Sequence, residues 1–266
     1  MIDTDKMLLV VDVGNTNTVV GVFDGADKLV HSWRIRSDAS RTDDEYAMLL
    51  SRLLEYRHLR LEQIGAVVVS CVVPPMLDAL QWMCDKYLGL SALVVGRNLE
   101  ARMAIEYDNP AEVGADRIVN AVAAYDKYRR AMIVVDFGTA TTFDYINATG
   151  AYCGGAIAPG LGISADALHR RASKLPRVEL VAPPLVVAKN TVHSMQSGLL
   201  YGYAGLVDGI VARMKDEVGG APLVVATGGL AVQIAAATAS IDEVEPLLTL
   251  NGLLLLYRQR PQDAVH

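Results

Sequence analysis

Leu8–Asp24 reads LLVVDVGNTNTVVGVFD, and Met132–Asn147 reads MIVVDFGTATTFDYIN. Each begins as an apolar, β-branched run that ends in Val-Val-Asp. Each continues with one apolar residue, a glycine and a cluster of short hydroxyl or amide residues, and a second β-rich stretch follows. Asp12 and Asp136 stand about half a chain length apart. That separation is too long for a solenoid repeat and fits two copies of one α/β domain.

Working outward, Leu8–Val13 and Val19–Phe23 read as consecutive strands around a tight turn, with Leu29–Arg36 as a third. Thr42-Asp-Asp-Glu45 is a capping box that opens a helix whose apolar residues recur at helical spacing from Ala47 to Leu54. Ala66–Val73 is a buried strand ended by Pro74-Pro75, followed by a helix over Met76–Leu88 and a strand over Ala92–Val95. The second half repeats the order. It has strands at Met132–Asp136, Thr142–Ile146 and Ala151–Ile157, a helix over Ile163–Arg171 and a long helical pattern over Thr191–Val218. A strand over Leu223–Ala226 and helices over Leu230–Ala237 and Leu247–Arg258 complete it. Three strands and then alternating helices and strands predict, in each half, a mixed sheet: an antiparallel meander first, parallel crossovers after. The expected division is 1–115 and 116–266.

A strand that ends in aspartate and runs into glycine and small polar residues is chemically suggestive. Glycine lets a ligand approach the backbone, and the backbone N–H groups and short side chains that follow form an anion-binding nest. The aspartate can hold a cation, directly or through water. One such turn is ordinary hairpin grammar; two copies with the aspartate in the same place fit two turns cradling the phosphates of a nucleotide in a cleft between domains. Ala226-Thr-Gly-Gly229, between a strand and a helix, is a third glycine turn.

Composition removes several classes of function. Hydrophobic residues are 52% of the 266 and charged residues 20%, which supplies a core and argues against disorder. A net charge of −6 has the wrong sign for a general phosphate-backbone binder, so no nucleic-acid role is expected. Three cysteines without a C-x-x-C pair read as buried thiols in a reducing compartment. The two aspartates before the first apolar run do not suit a signal peptide. Val218–Ile241 is uncharged and long enough to span a bilayer, but Gly219-Gly220, Pro222 and Gly228-Gly229 break it, so no membrane association is expected and the chain reads as cytoplasmic. There is no G-x-x-x-x-G-K-[ST], G-x-S-x-G or H-E-x-x-H, and the five histidines show no metal-ligand spacing. Gly160-Leu-Gly-Ile-Ser-Ala165 matches a relaxed dinucleotide fingerprint, but Pro159 distorts its entry and it leaves the duplicated aspartate turns unexplained.

Three turns carry a resemblance. Asp12-Val-Gly-Asn-Thr-Asn17 resembles the first phosphate motif of the acetate and sugar kinase, heat-shock chaperone and actin superfamily. Asp136-Phe-Gly-Thr-Ala-Thr-Thr142 resembles its second, and Thr227-Gly-Gly229 its adenosine motif. Gly114-Ala-Asp-Arg117, Gly154-Gly-Ala-Ile-Ala-Pro-Gly160, Asn190-Thr191 with Gln196-Ser-Gly198, and Leu248-Thr-Leu-Asn-Gly252 narrow the resemblance to type III pantothenate kinase, from about Leu8 to Arg258.

The resemblance implies two ribonuclease-H-like domains and phosphorylation of pantothenate by ATP, the first step of coenzyme A synthesis. It implies that Asp12, Val13, Gly14, Asn15, Thr16, Asn17, Thr18 and Val19 bind ATP, with Asp12 meeting its Mg²⁺. Thr139, Gly228 and Gly229 join the ATP site, and Asp136 holds a monovalent cation, K⁺ or NH₄⁺. Tyr107, Gly114, Ala115, Asp116, Arg117 and Thr191 contact pantothenate, Asp116 is the general base, and the chain is a homodimer.

The residues also carry plainer readings. Asp116 opens the apolar-periodic stretch Ile118–Tyr125 as an N-cap, and Thr191 after Asn190 suits a cap equally well. Tyr107 reads as a half-buried loop aromatic and Arg117 as a solvated helix residue. The phosphate turns contain no lysine or arginine, so charge neutralisation there falls to backbone N–H groups and cations. Two rival functions remain. One is a kinase of the same superfamily acting on a sugar or acetate. The other is a nucleotide-binding transcription accessory protein that keeps the fold without the chemistry, against which the retention of Asp12, Asp116 and Asp136 argues.

Overall fold

The computed structural model describes residues 6–261. By contacts they form two compact units, one of residues 6–102, 111–123 and 249–261, the other of residues 103–110 and 124–248. The described chain thus leaves the first unit twice and returns to it twice, where a division by chain order would cut once, at 115/116.

In the first unit, β1 (Met7–Val13), β2 (Asn17–Phe23), β3 (Leu29–Arg36), β4 (Ile64–Cys71) and β5 (Leu93–Val94) make a sheet of order β3-β2-β1-β4-β5. β1 pairs antiparallel with β2 and parallel with β4. Leu9, Val10 and Val68 of the central strands are fully buried, as a continuous β-branched run requires when both faces of a sheet are covered. Helices α1 (Asp43–Glu55) and α2 (Pro74–Met83) pack on one face through Tyr46, Leu50, Leu54, Met76 and Leu80. The capping box is formed: the Glu45 N–H donates to Thr42 Oγ1 at 3.3 Å, and the Thr42 N–H to Glu45 Oε2 at 2.8 Å. α2 begins two residues before the expected start. Pro74 and Pro75 end the strand segment and also supply the helix's first turn, where a missing N–H costs nothing. One wide turn, Cys84–Leu88, extends it, and Gly89 at φ 62° stops it in the left-handed region.

The second unit repeats this plan. β6 (Met132–Phe137), β7 (Ala140–Ile146), β8 (Tyr152–Pro159), β9 (Leu223–Gly228) and β10 (Glu243–Val244) give the order β8-β7-β6-β9-β10. β6 pairs antiparallel with β7 and parallel with β9. The mixed sheet predicted for each half, meander first and crossovers after, is observed in both. β10 has no counterpart in the sequence reading, because two residues are too few to show a period. α4 (Leu161–Arg171), α5 (Thr191–Val218) and the short α6 (Ala231–Ala235) cover this sheet. On α5, Leu200, Tyr203, Val207 and Val211 are buried, while Leu199, Tyr201, Leu206 and Ile210 are half-buried.

α3 (Ala115–Tyr128) and α7 (Leu248–Gln259) contain the last two of the chain's four passages between units. They pack closely within the first unit: a Cβ at Gly252 would lie 2.5 Å from the Val119 carbonyl oxygen, and Thr249 Oγ1 donates to Asn120 Oδ1 at 2.7 Å. All three cysteines are free thiols; Cys84 is buried, and burial pushes it up to about 12. None of the described helices is long and apolar enough to cross a membrane.

Candidate active site

The two aspartates occupy the same place in the two sheets. Asp12 is the penultimate residue of β1, in register with Val19 on β2 and Ser70 on β4. Asp136 is the penultimate residue of β6, in register with Thr142 on β7 and Thr227 on β9. After each, a glycine N–H closes the turn, Gly14 to the Asn17 carbonyl and Gly138 to the Ala140 carbonyl, both at 3.1 Å.

In the first turn Asn15, Thr16 and Asn17 are exposed, while Val13 and Thr18 are buried and Gly14 and Val19 half-buried. Ser37, just beyond β3, pins it. Its N–H donates to the Thr16 carbonyl at 3.0 Å, its hydroxyl donates to the Gly14 carbonyl at 2.6 Å, and it lies 2.9 Å from Thr18 Oγ1. The turn therefore offers amide and hydroxyl groups outward from a held backbone, which suits an anion. Ser37 was not singled out from sequence, because nothing local to it signals a phosphate site. Ser70 has a signal in the repeat, since it stands to Asp12 as Thr227 stands to Asp136.

Asp116 lies in the first turn of α3, whose first residue is Ala115, so it is not the N-cap expected from sequence. Its Oδ1 accepts from the Arg117 N–H at 2.8 Å. The carboxylate folds back over the helix start so closely that a Cβ at Gly114 would lie 2.6 Å from Oδ1. Burial pushes its pKa above the ordinary carboxylate range, opposed by the backbone hydrogen bond and the Arg117 charge. Arg117, expected as a solvated residue, is 8% exposed. A half-buried carboxylate with a raised pKa at a helix N-terminus is suited to accept a proton.

In the second unit, Gly160 supports the second turn. Its N–H donates to the Thr139 carbonyl at 3.1 Å, and a Cβ there would lie 2.6 Å from the Gly138 carbonyl oxygen. Gly228, at φ 93°, has no room for a Cβ, which would strike Asp136 Oδ1 and the Phe137 backbone. Only glycine there leaves the Asp136 carboxylate in place. Gly229 follows in the turn before α6, and Thr227 Oγ1 donates to the Glu245 carbonyl at 2.8 Å, tying β9 to the segment after β10. Tyr107 is half-buried, its ring 3.5 Å from a Cβ built at Gly154 and 6.3 Å centroid to centroid from Tyr152. Tyr152 is fully buried and its hydroxyl donates to Asp144 Oδ1 at 2.6 Å. Thr191 is the first residue of α5; the cap is Asn190, which accepts from the His193 N–H at 2.8 Å. Thr191 lines an open cavity of about 710 Å³ together with Lys189, Asn190, Ser194, Met195 and Leu168.

Among the described residues no three His, Cys, Asp or Glu side chains converge as a metal cage. Single carboxylates at strand ends fit cations that keep most of their ligands from water, backbone oxygens and substrate phosphates, as Mg²⁺ does.

Two sheets of identical order, each with an aspartate at the end of its first strand and a glycine turn after it, define a duplicated ribonuclease-H-like protein of the kinase and actin superfamily. Solved structures agree on the fold. The (R)-2-hydroxyglutaryl-CoA dehydratase component A of Acidaminococcus fermentans is similar at TM-score 0.57 and 16% identity, over 95% of this chain and 97% of that one. The inorganic polyphosphate/ATP-glucomannokinase of Arthrobacter sp. strain KM is similar at TM-score 0.51 and 14% identity, over 96% and 100%. The type III pantothenate kinase family model matches residues 8–213. The type III pantothenate kinase of Syntrophotalea carbinolica is 63% identical over 251 residues, 94% of this chain and 98% of that protein. The chain belongs to the type III pantothenate kinase family.

Proposed function

We propose that this protein transfers the γ-phosphoryl group of ATP to the primary hydroxyl of pantothenate, the step that opens coenzyme A synthesis. The observation that carries this reading is the family match, which holds at 63% identity over nearly the whole of both chains. The Asp12–Val19 turn and Thr139 bind the phosphates, and Thr227–Gly229 takes the adenosine. Tyr107, Gly114–Arg117 and Thr191 hold pantothenate. Asp116 accepts the hydroxyl proton as the new O–P bond forms and the bond to ADP breaks. Asp12 would hold Mg²⁺, which would supply neutralisation of the nucleotide's phosphate charge. Asp136 holds K⁺ or NH₄⁺ beside the second turn.

The working enzyme is a homodimer in the cytoplasm. Support for the dimer comes from α5: Gly198, Gly202 and Gly205 leave open space where a Cβ would stand, and half-buried Leu199, Tyr201, Leu206 and Ile210 lie among them. A helix face of glycines flanked by apolar side chains lets a second helix approach closely. The test of the reaction is ADP release with pantothenate against a panel of sugars and acetate. Release with pantothenate alone supports it; turnover of a sugar or acetate in its place refutes it.

A further inference from the structure

The phosphate turns hold no cationic side chain, yet one guanidinium reaches their neighbourhood from elsewhere in the chain. Arg41 stands four residues beyond Ser37, the residue that pins the Gly14–Thr18 turn. Its backbone N–H donates to the Asp38 carbonyl at 3.2 Å, so the short loop from β3 to α1 carries it. The acid on that loop, Asp38, feels the Arg41 charge but makes its hydrogen bonds elsewhere. Asp38 is turned onto Ser40, accepting from its N–H at 3.0 Å and its hydroxyl at 2.7 Å. The guanidinium lies 5.3 Å from the centroid of the Tyr46 ring, a residue 1% exposed. Arg41 Nη1 is buried and, among the described residues, has no hydrogen-bond partner.

Two contacts tie this group to the turn. Ser37, on the same loop, is hydrogen-bonded to the Gly14 and Thr16 carbonyls. Tyr46, under the guanidinium, is buried in one core cluster with Val13, the residue that precedes Gly14. A buried guanidinium donor without an acceptor costs free energy unless a ligand supplies one, and its fork matches phosphate oxygens.

We infer that Arg41 binds the phosphate chain of the nucleotide held at the Asp12–Val19 turn, supplying the cationic side chain that the turns themselves lack. This rests on the reading of that turn as the phosphate site.

The test compares Arg41→Ala, Arg41→Lys and Asn15→Ala in the full-length enzyme, measuring KM for ATP and for pantothenate and ADP affinity by calorimetry. Arg41→Ala should raise the ATP KM and weaken ADP binding by roughly 10- to 100-fold, the range for losing a hydrogen bond to a charged group. The pantothenate KM should stay within about twofold of the parent. Arg41→Lys, which keeps the charge but not the fork, should fall between the two, and it decides the matter if the alanine variant does not fold. An unchanged ATP KM in the arginine variants overturns the inference, as does an equal rise in both KM values, which marks a merely structural role. Asn15→Ala separates the two levels. If it weakens ATP binding while the arginine variants do not, only the role of Arg41 fails. If none of the three does, the phosphate-site reading of the turn fails as well.

Discussion

At Asp116 the proposed role as a base meets the demands of folding. Its pKa is raised chiefly by burial, so the folded state favours the protonated form. The stability tied to this group is present at low pH and lost as pH rises through the folded-state value. At neutral pH the ionised carboxylate is therefore a burden on the fold, one that the proposed role as a base accounts for. Asp116→Asn should lower kcat by roughly 10²–10⁴-fold, while the melting temperature at pH 7 holds or rises slightly. A fall in melting temperature with kcat kept within about threefold, under 1 kcal/mol of barrier, assigns the residue to structure alone. The parent's kcat should decline on the acid side with a midpoint above the ordinary carboxylate range, and that limb should vanish in the Asn variant. Gly114 makes a finer probe. A Cβ there lies 2.6 Å from Asp116 Oδ1, the free end of a side chain that can swing aside. Gly114→Ala should leave stability nearly intact yet cut kcat by about 10-fold or more, because a displacement near 1 Å is enough.

The glycine turn after β9 is constrained differently, because its neighbours are backbone and cannot move. Gly228 sits at φ 93°, and a Cβ there would meet both the nitrogen and the oxygen of Phe137 at 2.7 Å. Gly228→Ala should destabilise the protein by more than about 1 kcal/mol, read as a drop in melting temperature. Because Asp136 is displaced with it, activation by potassium should be lost in whatever folds. The segment between α4 and α5 illustrates a third device. It has no regular structure, and α5 holds it by two polar side chains: Gln196 Nε2 donates to the Glu179 carbonyl at 3.1 Å and Ser197 Oγ to the Val186 carbonyl at 2.8 Å. These are the residues of the Gln-Ser-Gly motif, and their burial on a mostly apolar helix is explained by that tie.

For the molecule as a whole, cations and assembly are the measurable quantities. With Mg²⁺ present, activity in sodium or Tris buffer should be low and potassium or ammonium should restore it; equal rates in all monovalent salts exclude the role given to Asp136. Light scattering at micromolar concentration should give about twice the chain mass of 28.6 kDa. Gly202→Trp, filling the open face of α5, should shift it toward the monomer without unfolding the chain, since no described atom lies within 4 Å of the added Cβ. A dimer unaffected by that substitution excludes this helix face as the contact.

The duplicated Val-Val-Asp-x-Gly runs were enough to yield both sheets, because strand period, burial and turn chemistry are local properties that repeat when a domain repeats. The order of strands followed from the same pattern through the short meander and the longer crossovers. Asp12 and Asp136 stood out as candidates because a carboxylate before a glycine turn leaves a local trace; for Asp116 the local trace was a helix start, and the role of base came from the resemblance. What stayed hidden depends on residues far apart in the chain. Asp116 sits within the helix rather than at its cap, and its carboxylate folds back over Gly114. Arg117 is buried, though its own helix gives no sign of it. Ser37 reaches the Gly14 turn across β2 and β3, and Arg41 follows it. Pairings of that kind arise only when strands settle into register and bring their ends together, and no window along the chain contains both partners.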